Sequence, residues 1–434
     1  MIPGVERPPR LRIEKIVYPG RSLGRRESRV YFTDEGLPGE TVEIEILKEH
    51  ASFIEARTTA VPVPSPLRIP ARCGHYRTCG VYQTLPYDAQ LDLKKNQLRE
   101  ICRTAELSVP DEIDIVPSPA IWRYRNKVRF SLARRKREFF LAYNEPGSRT
   151  EFVEAGGCFL AGDRACATAD EVLDVVRVNS ISNLAEIEIR EGRPDGDSLL
   201  NLFWKAPRKV RDIDPVLSSV GTRSGAAGIV SWTAGRGRRI TETPEWGRSS
   251  IRTRIGDLEY EIGAGSFFQV NESILPRVLA DMAEAASFQG TETIADIYGG
   301  VGTFGLALAG RVKRVHIVES APEAVPYLNA NIARNRMSNV TVCEGTAEEW
   351  MAELAGRGLD LAIVDPPRKG LDPAVIQALI AHRVDKVIYL SCNPTTLVRD
   401  LALLGRIYTI KSFRAYDFFP QTPHIETLAV LNRR

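Results

Sequence analysis

The chain contains no run of apolar residues long enough to cross a bilayer as a helix, which argues against a helical membrane span. Its first residues, MIPGVERPPRLRIEK, lack the apolar core of a secretory leader, and a cytoplasmic location is expected. Cysteine is sparse, at seven in 434 residues, and scattered. That excludes a disulfide framework, so reduced thiols are expected. Charge of one sign is barely in excess, with 58 Lys and Arg against 55 Asp and Glu, a net +3. Any polyanion must therefore meet a local basic face rather than an overall surplus. What remains, 43% hydrophobic and 26% charged, is the composition of a globular protein, and the length calls for two or three domains.

Residues 11–57 read as short alternating strands, at 11–13, 30–32, 41–47 and 53–56, separated by Gly and Pro turns. Such spacing suggests a small closed barrel. Arg21, Arg25 and Arg26 are expected together on one of its loops. A Pro-rich link at 61–70 leads to Cys73 and Cys79 in C-x5-C spacing, with Cys158 and Cys166 further on. Spaced thiols in a reducing compartment suggest a metal or an iron–sulfur centre. Residues 121–140, IWRYRNKVRFSLARRKREFF, are the most basic stretch. As a strand it would place Arg123, Arg125, Lys127 and Arg129 on one face, ahead of a turn-like cluster, Arg134, Arg135, Lys136 and Arg137. Cations among aromatics suit RNA phosphates and unpaired bases, although a solvated edge strand has the same pattern. Further strands are expected at 185–190, 198–204, 228–233 and 251–260.

From residue 294 strands and helices alternate. TIADIY at 293–298 runs into the Gly-rich turn 299–303 and a helix, and RVHIVE at 314–319 ends in Glu319. Glycines at this junction allow close approach of a ligand, and an acid at the end of the second strand suits ribose hydroxyls. Gly300, Gly302 and Gly305 also satisfy GxGxxG, so at this point a dinucleotide and an S-adenosyl cofactor are both open. No P-loop lysine is present to grip a triphosphate. A fourth strand, 360–364, is followed by Asp365-Pro366-Pro367-Arg368, and a fifth, VIYL, by Ser391-Cys392-Asn393-Pro394. Strand-like runs at 408–416 and 426–431 close the chain, the last beginning with Glu426. The expected architecture is α/β, a seven-stranded, mostly parallel sheet ending in an antiparallel hairpin.

In order, SFFQVN, DIYGGVGTFGL, IVES, DPPRKGL, SCNPTTLVRDL and DFFPQTPHIETLAVL resemble the S-adenosylmethionine-dependent RNA uracil-C5 methyltransferases, a bacterial family with tRNA and 23S rRNA members. The pattern IVYPGRSLGRRESRVYFTDEGLPGETVEIEIL resembles the TRAM domain, an OB-like RNA-binding module. The resemblance implies three domains: a TRAM module at 1–60, a central α+β RNA-binding domain at 61–255 and a class I methyltransferase domain at 256–434. It implies Cys392 as nucleophile and Glu426 as base. It further implies cofactor contacts from Gln269, Tyr298, Glu319 and Asp365, and from Thr303, which stands where some members have Asn. Phe267 or Phe268 would stack on the base. In the Cys segment it implies a 4Fe–4S cluster on Cys73, Cys79 and Cys158, but the family's remaining Cys is Tyr82 here. The alternatives are a substitute ligand, from Cys166, Tyr82 or His75, or relic thiols with no cluster.

The chemistry explains the parts. Uracil C5 is a poor nucleophile until a thiolate adds at C6, and the C5 proton must afterwards leave to a base, so one Cys and one carboxylate are the minimum set. The target base must also leave its stack. A cytosine-C5 methyltransferase would carry a Cys within the fourth-strand Pro motif, and DPPR has none. An amine methyltransferase would leave Cys392 unexplained, and a non-catalytic RNA-binding protein would leave the pair unused. The expected substrate is 23S rRNA, with tRNA as the alternative, and the expected state is a monomer.

Overall fold

The computed structural model describes residues 8–109, 113–148, 150–193, 196–206, 210–221, 226–234 and 240–434. Five strands, Arg10–Val17, Arg21–Arg26, Arg29–Thr33, Thr41–Glu49 and Phe53–Val63, close into a barrel. Period-two alternation turns Leu11, Ile13, Val42, Ile44 and Ile54 inward. The last strand runs through Val63, so the link expected from residue 61 starts later. Arg21, Arg25 and Arg26 lie in the second strand rather than on a loop, and Arg25 and Arg26 are ion-paired to Glu14 and Glu27.

The middle of the chain builds a seven-stranded sheet. Side by side stand Ile240–Gly247, Ala226–Ala234, Ser198–Trp204, Leu184–Glu191, Lys127–Arg135, Glu138–Asn144 and Phe152–Glu154. The helix Asp163–Asn179 packs its Ala165, Ala169, Val172 and Val176 against it. The basic strand is shorter than expected: it begins at Lys127, and residues 121–126 are irregular. Arg123 is turned inward, donating to the carbonyls of Cys158 and Ala161, while Arg129 pairs with Glu186 and lies 3.8 Å over the Phe203 ring. Residues 251–260, expected as one strand, form a hairpin of Ser250–Ile255 and Leu258–Gly263 that turns at Gly256, where φ is +59°.

The last third forms the catalytic sheet. Thr293–Ile297, Arg314–Glu319, Val340–Glu344, Leu361–Val364, Lys386–Ser391, Tyr408–Tyr416 and Glu426–Arg433 follow one another in the chain. In space they take the order third, second, first, fourth, fifth, seventh, sixth, with the seventh antiparallel to both neighbours. Runs such as LAIV and VIYL are apolar throughout because both faces are covered. Ala295, Ile297, Val387 and Tyr389 enter one core, and Ile294, Ile317, Ile388 and Leu390 enter the other. An eighth strand, Asp114–Val116, comes from the middle of the chain and pairs parallel to Tyr408–Tyr416 at the edge.

The helix Tyr87–Thr104 ties the middle of the chain to the catalytic sheet by packing on the helix Pro394–Leu404. Its Lys94, with no exposed surface, donates to Asp417 Oδ1 at 2.6 Å and to the Phe419 carbonyl at 3.0 Å. Gln90 and Gln421 exchange two hydrogen bonds, at 2.8 and 2.9 Å. Tyr124 donates to the Pro420 carbonyl at 3.1 Å, and Asn271 to that of Phe418 at 3.0 Å. The segment 417–424, which delivers Glu426 to the sheet, is thus held from outside its own third of the chain. Burial lowers the proton affinity of Lys94, and Asp417 offsets part of that loss. Lys94→Met leaves a buried carboxylate without its cation, and denaturant titration should show a loss of about 3–5 kcal/mol. Adding Asp417→Leu should recover part of it, because an apolar pair carries no unpaired charge.

Candidate active site

The helix Pro394–Leu404 starts with Pro at its first position and is capped by the Asn393 side chain, which accepts from Thr395 N. Cys392 therefore lies between the end of the fifth strand and a helix cap, half-buried. The neighbouring seventh strand runs the other way, with Ser391 opposite Thr427. Glu426, 3% exposed, thus enters the sheet beside the point where Cys392 leaves it. Asn393 Nδ2 donates to the Arg368 carbonyl at 3.0 Å, and Thr396 Oγ1 to the same oxygen at 3.3 Å, which joins the DPPR loop to the cysteine loop. Arg368 also lies 3.4 Å from His424 Nε2.

The residues expected to contact the cofactor collect at the same edge. Gln269 donates to Asp365 Oδ2 at 3.2 Å, and its own carbonyl accepts from Asn126 at 3.0 Å. The Gly-rich turn uses left-handed backbone at Tyr298, Gly300 and Gly302, with φ of +67°, +58° and +94°. At Gly302 a Cβ would come within 2.8 Å of Leu306, so glycine is required there. Glu319 accepts from Gly300 N at 2.7 Å and from the amides of Ser320 and Ala321. Tyr298 is half-buried. Thr303 opens the helix Thr303–Ala309, is 6% exposed, and lends its carbonyl to Tyr260. The structure separates the two phenylalanines: Phe268 is core, and Phe267 is 61% exposed.

Both members of the central pair bind their protons more tightly than the free side chains do. Burial, then Glu426 and Asp365, push the Cys392 thiol up to about 12, opposed by Arg368. Burial, then Asp365, lift the Glu426 carboxyl well above the usual range. Burial and Asp296 raise Asp365 to about 7, and burial and Glu319 raise Asp296 to about 7. Asp296 Oδ1 and Glu426 Oε2 are buried without a hydrogen-bond partner. Sequence reasoning did not single out Asp296, Arg368, His424 or Tyr18. An acid inside the apolar run TIADIY was the available signal for Asp296. Tyr18 had none: the barrel brings it there, with Gly20 so close to Pro423 that a Cβ would approach to 2.9 Å. Burial, with Cys392 and Glu426 assisting and Arg368 opposing, raises its phenol to about 12.

Tyr82 leaves the Cys segment one thiolate short of the family's ligand set, and Cys73, Cys79 and Cys158 lie around His75. Tyr82, at the family's remaining ligand position, is 1% exposed and turned toward Gln97, to which it is hydrogen-bonded at 2.9 Å, and so is not a substitute ligand. Cys73 accepts from Gln83 at 3.3 Å and Cys158 from Tyr143 at 3.4 Å, while Cys166 bonds the Cys158 carbonyl. His75 is buried near Cys73 and Cys158; burial opposes its charge, but the two thiols lift its imidazole to about 9. Among the described residues no group of three or more His, Cys, Asp or Glu is gathered so as to hold a metal ion.

A sheet of this order, with a Gly-rich turn after its first strand and an acid after its second, defines a class I S-adenosylmethionine-dependent methyltransferase. Comparison with known proteins agrees. Residues 226–434 match the family model of the tRNA (uracil-5-)-methyltransferases. An RNA methyltransferase of Enterococcus faecalis is 30% identical, the match covering 96% of this chain and 95% of that one. One of Listeria innocua is 30% identical over 98% and 97%. The crystal structure of Pyrococcus abyssi tRNA (uracil-54, C5)-methyltransferase in complex with S-adenosyl-L-homocysteine superposes with a TM-score of 0.78 at 26% identity, covering 97% of this chain and 99% of that one. The chain belongs to the RNA uracil-5-methyltransferase family.

S-adenosylmethionine carries a sulfonium charge that S-adenosylhomocysteine lacks. Below pH 7 Asp365 and Asp296 are mostly neutral, and above it they become anionic. Affinity for S-adenosylmethionine should therefore rise, by up to about tenfold, between about pH 5.5 and 8.5, while that for S-adenosylhomocysteine stays nearly flat. Calorimetric titration with both ligands checks this.

Proposed function

We propose that this chain methylates C5 of a uridine in RNA by a covalent route, with Cys392 as nucleophile and Glu426 as base. The observation that carries the reading is the placement of these two side chains at adjoining ends of antiparallel strands, with Ser391 opposite Thr427. Gln269, Tyr298, Thr303, Glu319 and Asp365 line the edge where the cofactor would be held. Phe267, the exposed one of the pair, stacks on the extruded base.

Cys392 Sγ, as thiolate, bonds to C6, and the electron pair of the ring double bond moves onto the C4 carbonyl, leaving C5 electron-rich. S-adenosylmethionine, when bound, supplies an electrophilic methyl group to that carbon. Glu426 takes the C5 proton, the ring double bond re-forms, and Sγ leaves C6. A thiol near 12 is a weak nucleophile at rest, which suppresses side reactions, and Arg368 is the neighbouring cation that favours its ionised form. The high proton affinity of Glu426 makes its carboxylate a stronger base than a solvated one.

Cys392→Ala should reduce methyl transfer by about a thousandfold or more while RNA binding survives. Full activity would sink the nucleophile role and favour a non-catalytic RNA-binding protein. Glu426→Gln should accumulate an RNA–protein adduct stable on a denaturing gel, because the C5 proton has no acceptor.

For the RNA itself, the barrel and the Cys segment favour 23S rRNA, since that layout is commoner in the rRNA branch of the family. The Pyrococcus abyssi enzyme, which acts on uracil 54 of tRNA, matches nearly the whole chain and supports tRNA as the second reading. Mapping 5-methyluridine in both RNAs from a strain lacking this protein decides: the rRNA reading expects a lost site in 23S rRNA and unchanged tRNA.

A further inference from the structure

The strand Lys127–Arg135 is a rod with one end at the active site. Asn126, just before it, donates its side-chain amide to the carbonyl of Gln269 at 3.0 Å and its backbone amide to the carbonyl of Val270 at 2.9 Å. The strand then runs nine residues outward. At 3.3 Å per residue its far end lies about 30 Å from Gln269. There it turns back through Lys136 and Arg137 into Glu138–Asn144.

Four consecutive cations, Arg134, Arg135, Lys136 and Arg137, cover this tip, all exposed. Among the described residues none of them has a carboxylate partner. Of the nearby acids, Glu138 is engaged with Arg177 and Glu186 with Arg129, and Glu154, across the same cavity, makes no ion pair with the tip. The tip opens onto a cavity of about 920 Å³ that also reaches Ser180 and Ser182. A second cavity, of about 380 Å³, shares Arg134 and Ser182 with the first and extends to Lys205. Arg134 lies 5.4 Å over Phe139 and Arg135 5.0 Å over Phe140, so the rings hold the guanidinium groups in place without neutralising them. Elsewhere along the basic segment Arg123 is engaged by carbonyls and Asp163, and Arg129 by Glu186. The methyl-transfer chemistry has no use for four unneutralised charges at this distance.

We propose that this hairpin tip is a second RNA-binding site, gripping the phosphate backbone of a part of the substrate about 30 Å from the methylated uridine. It rests on the RNA-methylation reading and adds a size requirement. A fragment with about five nucleotides on either side of the target spans less than 20 Å of stacked chain on each side and falls short of the tip while it stays stacked, whereas a folded RNA reaches it.

The test compares wild type with the variant R134E/R135E/K136E/R137E, and with the milder R134Q/R135Q/K136Q/R137Q in case reversal disturbs the hairpin. The probes are whole tRNA and 23S rRNA from a strain lacking the enzyme, and a synthetic fragment of about 11 nucleotides around the mapped uridine. On the folded RNA that wild type methylates, both variants should bind tenfold or more weakly at low salt. The slope of log affinity against log salt should be shallower by about 3, as for four phosphate contacts. On the fragment, kcat/KM should match wild type. An unchanged salt slope overturns the site, and so does an equal loss on fragment and folded RNA. Binding of wild type, but not the variants, to phosphatidylglycerol vesicles with RNA affinity unaltered would also overturn it. Failure of the methylation reading would appear separately, as wild type methylating neither RNA.

Discussion

A lysine and an aspartate with no exposed surface, Lys94 and Asp417, meet at 2.6 Å where three parts of the chain converge. Removing two charges from water is costly, and the attraction repays it only if geometry and further hydrogen bonds are good. Lys94 also donates to the Phe419 carbonyl and the Gln90–Gln421 exchange lies alongside, while Asp417 Oδ2 is buried without a hydrogen-bond partner, so the pair rests mainly on its own contact. A displaced loop would strand both charges, so the pair tolerates little slack. Glu426 follows this loop directly. Its position opposite the cysteine loop is therefore set as much by the helix Tyr87–Thr104 as by the strand it opens.

The same enclosure accounts for the electrostatics. Cys392, Glu426 and Asp365 face one another with Arg368 as the opposing cation, and burial raises all three. Raised proton affinity at all three lessens the repulsion among adjacent anions in a low-dielectric pocket. Its carboxylates ionise most readily when a cation is present, as with a sulfonium cofactor.

The catalytic sheet was legible because its strands are uninterrupted apolar runs at an α/β spacing, and the acids and the cysteine stand at their ends. Arg314–Glu319 and Tyr408–Tyr416 fall where the pattern placed them. Residues 121–126 misled because alternation of Arg with aromatic residues imitates a strand, while tertiary demands, the carbonyls of Cys158 and Ala161, claim Arg123 instead. The break at Gly256 had a signal that the strand reading passed over: Gly256-Asp257 is a two-residue hairpin turn, and the alternation changes phase there, from Ile251, Thr253 and Ile255 to Leu258, Tyr260 and Ile262. Tyr82 looked like a lost ligand, and the structure shows what its ring does: it fills the apolar cluster with Ile16, Leu37 and Leu85 that joins the barrel to the next helix. Contacts between distant segments, such as Tyr18 beside the catalytic loops and Asp114–Val116 in the sheet, leave no periodic trace and could not be read.

The short strand Asp114–Val116 bears on how far the protein can be taken apart. It lies more than a hundred residues before the catalytic stretch, yet it covers the outer edge of Tyr408–Tyr416. A fragment cut at the start of the apparent catalytic unit would bare that edge, a template for intermolecular pairing, and would leave Asp417 buried without its lysine. The sequence motifs are modular along the chain, but the folded enzyme is not severable at the same places.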